Sequence, residues 1–274
     1  MPTRLLVACC LFVAATVCRA DVVVLVHGYL GDADSWESRG VTTVLTSHGW
    51  RYDGQLSPGT RNFTNVGKGD SGRRGTLYTV NLPSTAPLTH QADLLWALVQ
   101  KVFDHHPDEP VTLVGHSAGG VVARLALVRF GTRAVETLIT IASPHLGTPR
   151  ALDGLGIIED SGPFEFVKQL VGGDDYRRIK RSGGTLWDLS PPRPGNLLFW
   201  LNAQPHPEIR YVSVLRLPTP DGGDDMVPVP SQDLNQVSAL RGRSEVVPTF
   251  GGHYLARGDG IILARLLEAS GKNP

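Results

Sequence analysis

The chain has 274 residues, 41% of them hydrophobic and 19% charged, which suffices for the core of one α/β domain and lacks the bias of a disordered protein. Lys plus Arg number 26 and Asp plus Glu number 26, a formal net charge of +0, so the composition gives no footing for a nucleic-acid partner.

The first twenty residues stand apart. Arg4 precedes the apolar run LLVACCLFVAATV, and Cys18-Arg19-Ala20 ends on a small residue. This is the layout of a secretory signal peptide cut after Ala20, and the expectation is a secreted or periplasmic protein. The run is shorter than the ~20 residues a spanning helix needs. Cys9, Cys10 and Cys18 all fall inside this twenty-residue segment, so the mature chain would carry no disulfide and no thiol nucleophile.

From Asp21 to Val26 a continuous apolar run predicts a buried parallel strand, ending at His27-Gly28-Tyr29-Leu30-Gly31. Trp36, Val41, Val44 and Leu45 fall at helical spacing between Ala33 and His48, with Gly49 beyond the end. Residues 55–75 are rich in Gly, Ser and Arg and read as an exposed loop. Its Gly67-Lys68-Gly69 lacks the spacing of a phosphate loop, and Asn62-Phe63-Thr64 fits a glycosylation sequon. Thr76–Val80 predicts a strand, and Thr89–Phe103 a helix with Ala92, Leu95, Val99, Val102 and Phe103 on one face.

The most informative stretch is Val111–Gly120, VTLVGHSAGG. A strand-like run stops at the G-x-S-x-G pentapeptide Gly115–Gly119, and VVARLALVRF continues as a helix. A nucleophile on a sharp strand-to-helix turn needs this pattern, because the strained turn brings backbone too close for side chains two residues either side of Ser117. The helix start also offers N–H groups and a positive dipole end to a developing oxyanion. Val135–Ala142 supplies another apolar strand. So far strands and helices alternate, which predicts a mostly parallel sheet with right-handed crossovers.

After Ser143-Pro144-His145-Leu146-Gly147-Thr148-Pro149 the alternation stops. Residues 150–205 mix short apolar patches with Gly and Pro breaks and a basic knot, Tyr176–Arg181. They read as an inserted helical cap or lid, where substrate selectivity is commonly built. On that reading Phe164, Phe166, Phe199 and Trp200 are candidates for an acyl-binding wall. Strands resume at Arg210–Leu215 and Glu245–Val247, separated by the acidic loop Pro220–Pro230, and Asp259–Ala269 predicts a last helix with an acidic cap.

HGYLG, GHSAGG, SPHLGT, DDMVPVPS and GGHYL, in this order across the whole region after residue 20, resemble the motifs of secreted bacterial-type lipases and esterases of the α/β-hydrolase superfamily. The resemblance implies the α/β-hydrolase fold, with helices flanking a mostly parallel sheet, and a triad in the chain order Ser, acid, His. Ser117 would be the nucleophile. His253 would be the base, since no other histidine follows the acidic loop. Asp221, Asp224, Asp225 and Asp233 are all eligible as the acid, and Asp224 best matches the family's D-x-x-V-P pattern, with Asp225 one position away. Backbone N–H groups of Tyr29 and Ala118 would form the oxyanion hole. The expected activity is hydrolysis of carboxylic esters, with an acyl-lipid substrate and transient contact with lipid interfaces. An amidase, a thioesterase, a lipid-glycan deacylase or a non-catalytic binding protein are the alternatives. Such chemistry needs no cofactor or metal, and no H-E-x-x-H segment is present.

Overall fold

A computed structural model describes residues 21–59, 74–158, 173–220 and 222–270. The leader, most of the Gly-rich loop with its sequon, Phe164, Phe166 and Asp221 lie outside the described residues.

Seven strands form one sheet: β1 Asp21–Val26, β2 Trp50–Leu56, β3 Gly75–Val80, β4 Val111–His116, β5 Val135–Ile141, β6 Arg210–Leu217 and β7 Ser244–Phe250. They stand in the order β2-β3-β1-β4-β5-β6-β7, and every pairing is parallel. The chain runs outward from β1 to the β2 edge and then crosses to β4. The order therefore reverses between β1 and β4, where the carboxyl ends of a parallel sheet open a crevice. The HGYLG turn and the Ser117 turn both leave the sheet at this point.

Alternate β1 residues supply two cores. Val22, Val24 and Val26 face one side, with Leu95 and Val99 of α3 (Leu88–His105) and Val121 and Leu125 of α4 (Ala118–Phe130). Val23 and Leu25 face the other, with Trp36 of α1 (Ser35–Ser38), Val41 and Leu45 of α2 (Val41–Ser47), and Leu263 and Leu267 of the last helix, Arg257–Ser270. Side chains on both faces of the central strands are thus removed from water, which is why those strands read as unbroken apolar runs.

Two expectations shift. The helix predicted over residues 33–48 divides into α1 and α2, because Gly40 takes a φ of +74° that helical residues do not adopt. The edge strand β2 begins five residues before the predicted loop and enters it. Its Asp53 and Gly54 interrupt any alternation, and the register slips between Tyr52 and Gln55.

The stretch between β5 and β6 holds α5 (Pro149–Ile158), α6 (Gly173–Lys180), α7 (Gly183–Leu189) and α8 (Leu197–Ala203). It is tied down at several points. The Asp188 carboxylate of α7 accepts the Leu88 N–H at 2.9 Å and so caps α3, and Thr185 Oγ1 donates to the Ala86 carbonyl at 2.7 Å. Arg124, fully buried in α4, donates to Asn202 Oδ1 at 2.8 Å, and burial lowers its pKa to about 9. Among the described residues no helix is long and apolar enough to cross a membrane.

Beyond the short helix α9 (Val229–Gln232) and β7, the last described element is α10 (Arg257–Ser270), which is anchored by a buried ion pair. Asp259 Oδ2 accepts the Ala256 N–H at 2.8 Å, and its Oδ1 meets Arg216 Nη2 of β6 at 2.6 Å, with side chains 2% and 5% exposed. Arg216 Nη1 also donates to Thr249 Oγ1 of β7. The ends of β6 and β7 are thereby locked to the start of α10, on both sides of the turn that carries His253. Asp259→Asn would leave a buried guanidinium without its counter-charge, and the expected loss is about 3–5 kcal/mol of folding stability, read by urea denaturation. A loss under about 1 kcal/mol would show that the pair does not anchor α10.

Candidate active site

Ser117 sits between β4 and α4 with φ 51° and ψ −127°, a conformation that costs a non-glycine residue on the order of 1–3 kcal/mol. Its neighbours explain the glycines. A Cβ on Gly115 would lie 2.4 Å from the Gly120 backbone, and one on Gly119 would lie 2.4 Å from the His27 carbonyl oxygen. The first contact closes the elbow on itself. The second presses the elbow against the end of β1. Ser117 N–H donates to the Ile141 carbonyl at 2.8 Å, fixing the turn to β5.

The side chains converge on the serine in one line. His253 Nε2 lies 2.9 Å from Ser117 Oγ, and His253 Nδ1 lies 2.9 Å from Asp224 Oδ2. An ionised carboxylate can only accept, so Nδ1 carries the proton, and Nε2 is free to accept from the hydroxyl. Asp224 has no exposed side-chain surface. Its Oδ1 accepts the N–H groups of Met226 and Val227, each at 2.9 Å, and its Oδ2 accepts Gln232 Nε2 at 3.1 Å. Burial pushes the Asp224 carboxyl up, but the His253 hydrogen bond and charge and the two backbone donors outweigh it, and the net effect is a pKa below the usual carboxylate value.

Of the eligible acids among the described residues, Asp224, Asp225 and Asp233, it is Asp224 that contacts His253. Asp225 points to solvent near Arg150, at 3.9 Å, and Asp233 caps a 3₁₀ turn by accepting the Asn235 N–H. The Tyr29 turn packs against the elbow, since a Cβ on Gly28 would come within 2.9 Å of Ser117 Cβ. Tyr29 Oη contacts Ser182 Oγ at 2.6 Å, and Arg178 Nη2 donates to the Leu30 carbonyl at 2.9 Å, so α6 and the start of α7 border this turn. His27 holds it from below. Its Nε2 accepts the Leu82 N–H at 3.0 Å and its Nδ1 donates to the Gly28 carbonyl, while burial lowers its pKa and keeps the ring neutral. Ala118 occupies the first position of α4, where helix geometry gives the N–H no intrahelical acceptor.

The proposed acyl wall does not assemble from the described aromatics. Trp200 borders a hollow with Val128, Arg129 and Phe130 at the far end of α4, about 18 Å along the helix from Ser117 at 1.5 Å per residue. Phe199 beside it is half exposed. Their helix packs its Leu198 and Leu201 inward, which turns both aromatics out. Conversely, Gln232 and His116 both touch the triad residues; Gln232 has no sequence signature, whereas His116 is placed beside the site by its position inside the G-x-S-x-G pentapeptide. Gln232 also accepts the Arg216 N–H at 2.8 Å, a link between α9 and β6 that only the folded chain reveals. Among the described residues no three His, Cys, Asp or Glu side chains group as metal ligands.

Because the Asp224 pKa is depressed in the fold, its ionised form stabilises the folded chain above the ordinary carboxylate pKa of ~3.9, and that contribution is lost as the pH falls through the lower folded value. The stability gap between wild type and Asp224→Asn should therefore narrow as urea melts are taken from pH 6 towards pH 2. A gap independent of pH would show that the carboxylate is not held ionised.

Against known proteins, residues 76–159 match the family model of the PGAP1-like alpha/beta domain. A GPI inositol-deacylase of Cryptococcus neoformans var. neoformans serotype D is 28% identical over 136 residues, covering 45% of this chain and 17% of that protein. The Debaryomyces hansenii GPI inositol-deacylase is 43% identical over 51 residues, 18% of this chain and 5% of its own. The chain thus spans less than a fifth of the length of these curated relatives. The mature Bacillus licheniformis lipase BlEst2 superposes with a TM-score of 0.63 at 13% identity, over 91% of this chain and 92% of that one. A lipase-esterase related protein from Clostridium acetobutylicum superposes with a TM-score of 0.54 at 11% identity, over 91% and 93%. The parallel seven-stranded sheet, the flanking helices and these superpositions establish that this chain has the α/β-hydrolase fold.

Proposed function

We propose that the chain is a serine hydrolase that cleaves carboxylic esters of acyl lipids through a covalent acyl-enzyme. The observation that carries this reading is the unbroken line of hydrogen bonds from Asp224 through His253 to Ser117 Oγ, set on a strained elbow. Ser117 Oγ attacks the ester carbonyl carbon as His253 Nε2 takes its proton. Asp224 keeps the imidazole in the required tautomer and stabilises the cation that forms. The N–H groups of Tyr29 and Ala118 receive the oxyanion. Collapse of the tetrahedral species expels the alcohol, which takes the proton back from His253. Water then attacks the acyl-serine by the same route, and the acid leaves. Removing one oxyanion donor typically raises the barrier by ~3 kcal/mol, but both donors here are main-chain, so side-chain changes at Tyr29 should act on binding. Tyr254, 67% exposed and edge-on to the His253 ring with 6.0 Å between centroids, offers apolar surface to a lipid beside the base.

A second, narrower reading is favoured by the relatives named GPI inositol-deacylases: release of an acyl chain from the inositol of a GPI lipid by the same residues. Hydrolysis of an acyl-ester chain-length series, monomeric and micellar, beside an inositol-acylated GPI lipid, separates the two. Wild type should hydrolyse at least one ester class, and Ser117→Ala should lower kcat by at least about 10⁴-fold while remaining folded. A faster rate on micelles places the enzyme with lipases, whereas turnover confined to the inositol-linked acyl group selects the deacylase. Equal rates for wild type and Ser117→Ala would reject both.

A further inference from the structure

The mechanism above does not use His116, yet this side chain stands against its base. It is the last residue of β4, paired with Ile141 of β5, and its ring is buried. Trp36 meets it edge-on with 6.5 Å between centroids, and the His253 ring lies tilted against it at 5.2 Å. His116 Nε2 is 2.9 Å from the His253 carbonyl oxygen. A carbonyl only accepts, so Nε2 bears the proton and donates it.

Two properties suit this place. Burial first, and then the nearby His253, lower the His116 pKa to about 3, so the ring is neutral at any ordinary pH. It can donate a hydrogen bond without setting a second cation beside the imidazolium that forms on His253. The turn it holds also needs holding. Gly251 has φ 140°, Gly252 follows, and Tyr254 is largely exposed, so on its amino-terminal side the His253 backbone leans on two glycines, and on its other side the chain is held again by the buried Leu255 and by the Ala256 N–H that Asp259 accepts. The elbow itself is rigid, tied to β5 through both Ser117 N–H and the β4 ladder.

We infer that His116 is a positioning residue, whose Nε2–H bond to the His253 carbonyl sets the backbone of the base from within the nucleophile turn and so fixes the spacing between His253 Nε2 and Ser117 Oγ. The inference rests on the serine-hydrolase reading. It requires that the donor, rather than the bulk of the ring, is what matters.

Three variants of the full chain test it on a short soluble p-nitrophenyl ester, with thermal melting as the control for folding. His116→Leu and His116→Phe remove the donor, and His116→Gln keeps an amide N–H within the same reach. The two donor-less variants should lose about 10- to 100-fold in kcat with KM little changed, as expected for a sub-ångström to ångström displacement of a catalytic group, and Gln should recover most of that loss. Wild-type kcat in a folded Leu or Phe variant overturns the inference, as does an equal loss in Gln, or a change confined to KM. If neither donor-less variant folds, the Gln variant decides: activity near wild type supports the hydrogen bond, and a loss like that predicted for Leu overturns it. No turnover of any ester by wild type would instead overturn the hydrolase reading on which the inference stands.

Discussion

Two backbones that pass closer than a side chain allows govern the rest of the site. At Gly119 the start of α4 lies against the last carbonyls of β1, and at Gly115 the elbow folds back on Gly120, both at distances where a Cβ would meet backbone at 2.4 Å. These contacts are available because β1 and β4 are adjacent parallel strands whose carboxyl ends emerge together at the point where the strand order reverses. Once the backbones meet, the Tyr29 turn borders Ser117, and the N–H groups of two separate segments can face one place. The strain at Ser117 is sustained by this packing, with a buried sheet on one side and a helix buried almost all round on the other.

The second constraint is electrostatic. The site gathers ionisable groups in a dry interior, and each is compensated in a different way. Asp224 is surrounded by donors on both oxygens, so its charge survives burial. Arg216 and Asp259 neutralise each other between β6 and α10. His27 and His116 are kept neutral by burial, which leaves each with one donor and one acceptor nitrogen for a fixed bond to a turn. The charge that changes during the proposed reaction is thus confined to the line from Asp224 to Ser117, with neutral rings at its flanks.

How much of this could be read from the sequence follows from the same physics. The five interior strands β1, β3, β4, β5 and β6 stand out because they are apolar on both faces, whereas edge strand β2 carries Arg51, Asp53 and Gly54 and slips register, so its pattern reads as loop, and the largely exposed edge strand β7 shows only its apolar centre. Ser117 was legible because its steric demands write glycines into fixed positions, and His253 because no other histidine follows the acidic loop. Asp224 and Asp225 are chemically alike, and only the turn that buries one against His253 and leaves the other 76% exposed tells them apart. Trp200 misleads for a related reason: an aromatic in an inserted helix looks like a substrate wall until the helix is seen to bury its leucines and face the far end of α4. Gln232 reaches the Asp224 carboxylate and His116 the His253 carbonyl only through the folded chain, across contacts that the sequence spacing does not announce.

The family match over residues 76–159 takes in the elbow with Ser117 and Ala118 and the strands β4 and β5 beside it, while Tyr29, Asp224 and His253 lie outside it. The most direct test of the central claim, that Ser117 is a nucleophile activated by His253 and Asp224, is intact-mass analysis of the folded protein after treatment with a fluorophosphonate. A single phosphonyl adduct should form, map to Ser117 and be absent from Ser117→Ala. A folded wild-type protein that takes up no adduct, or one that is labelled equally after Ser117→Ala, would contradict it.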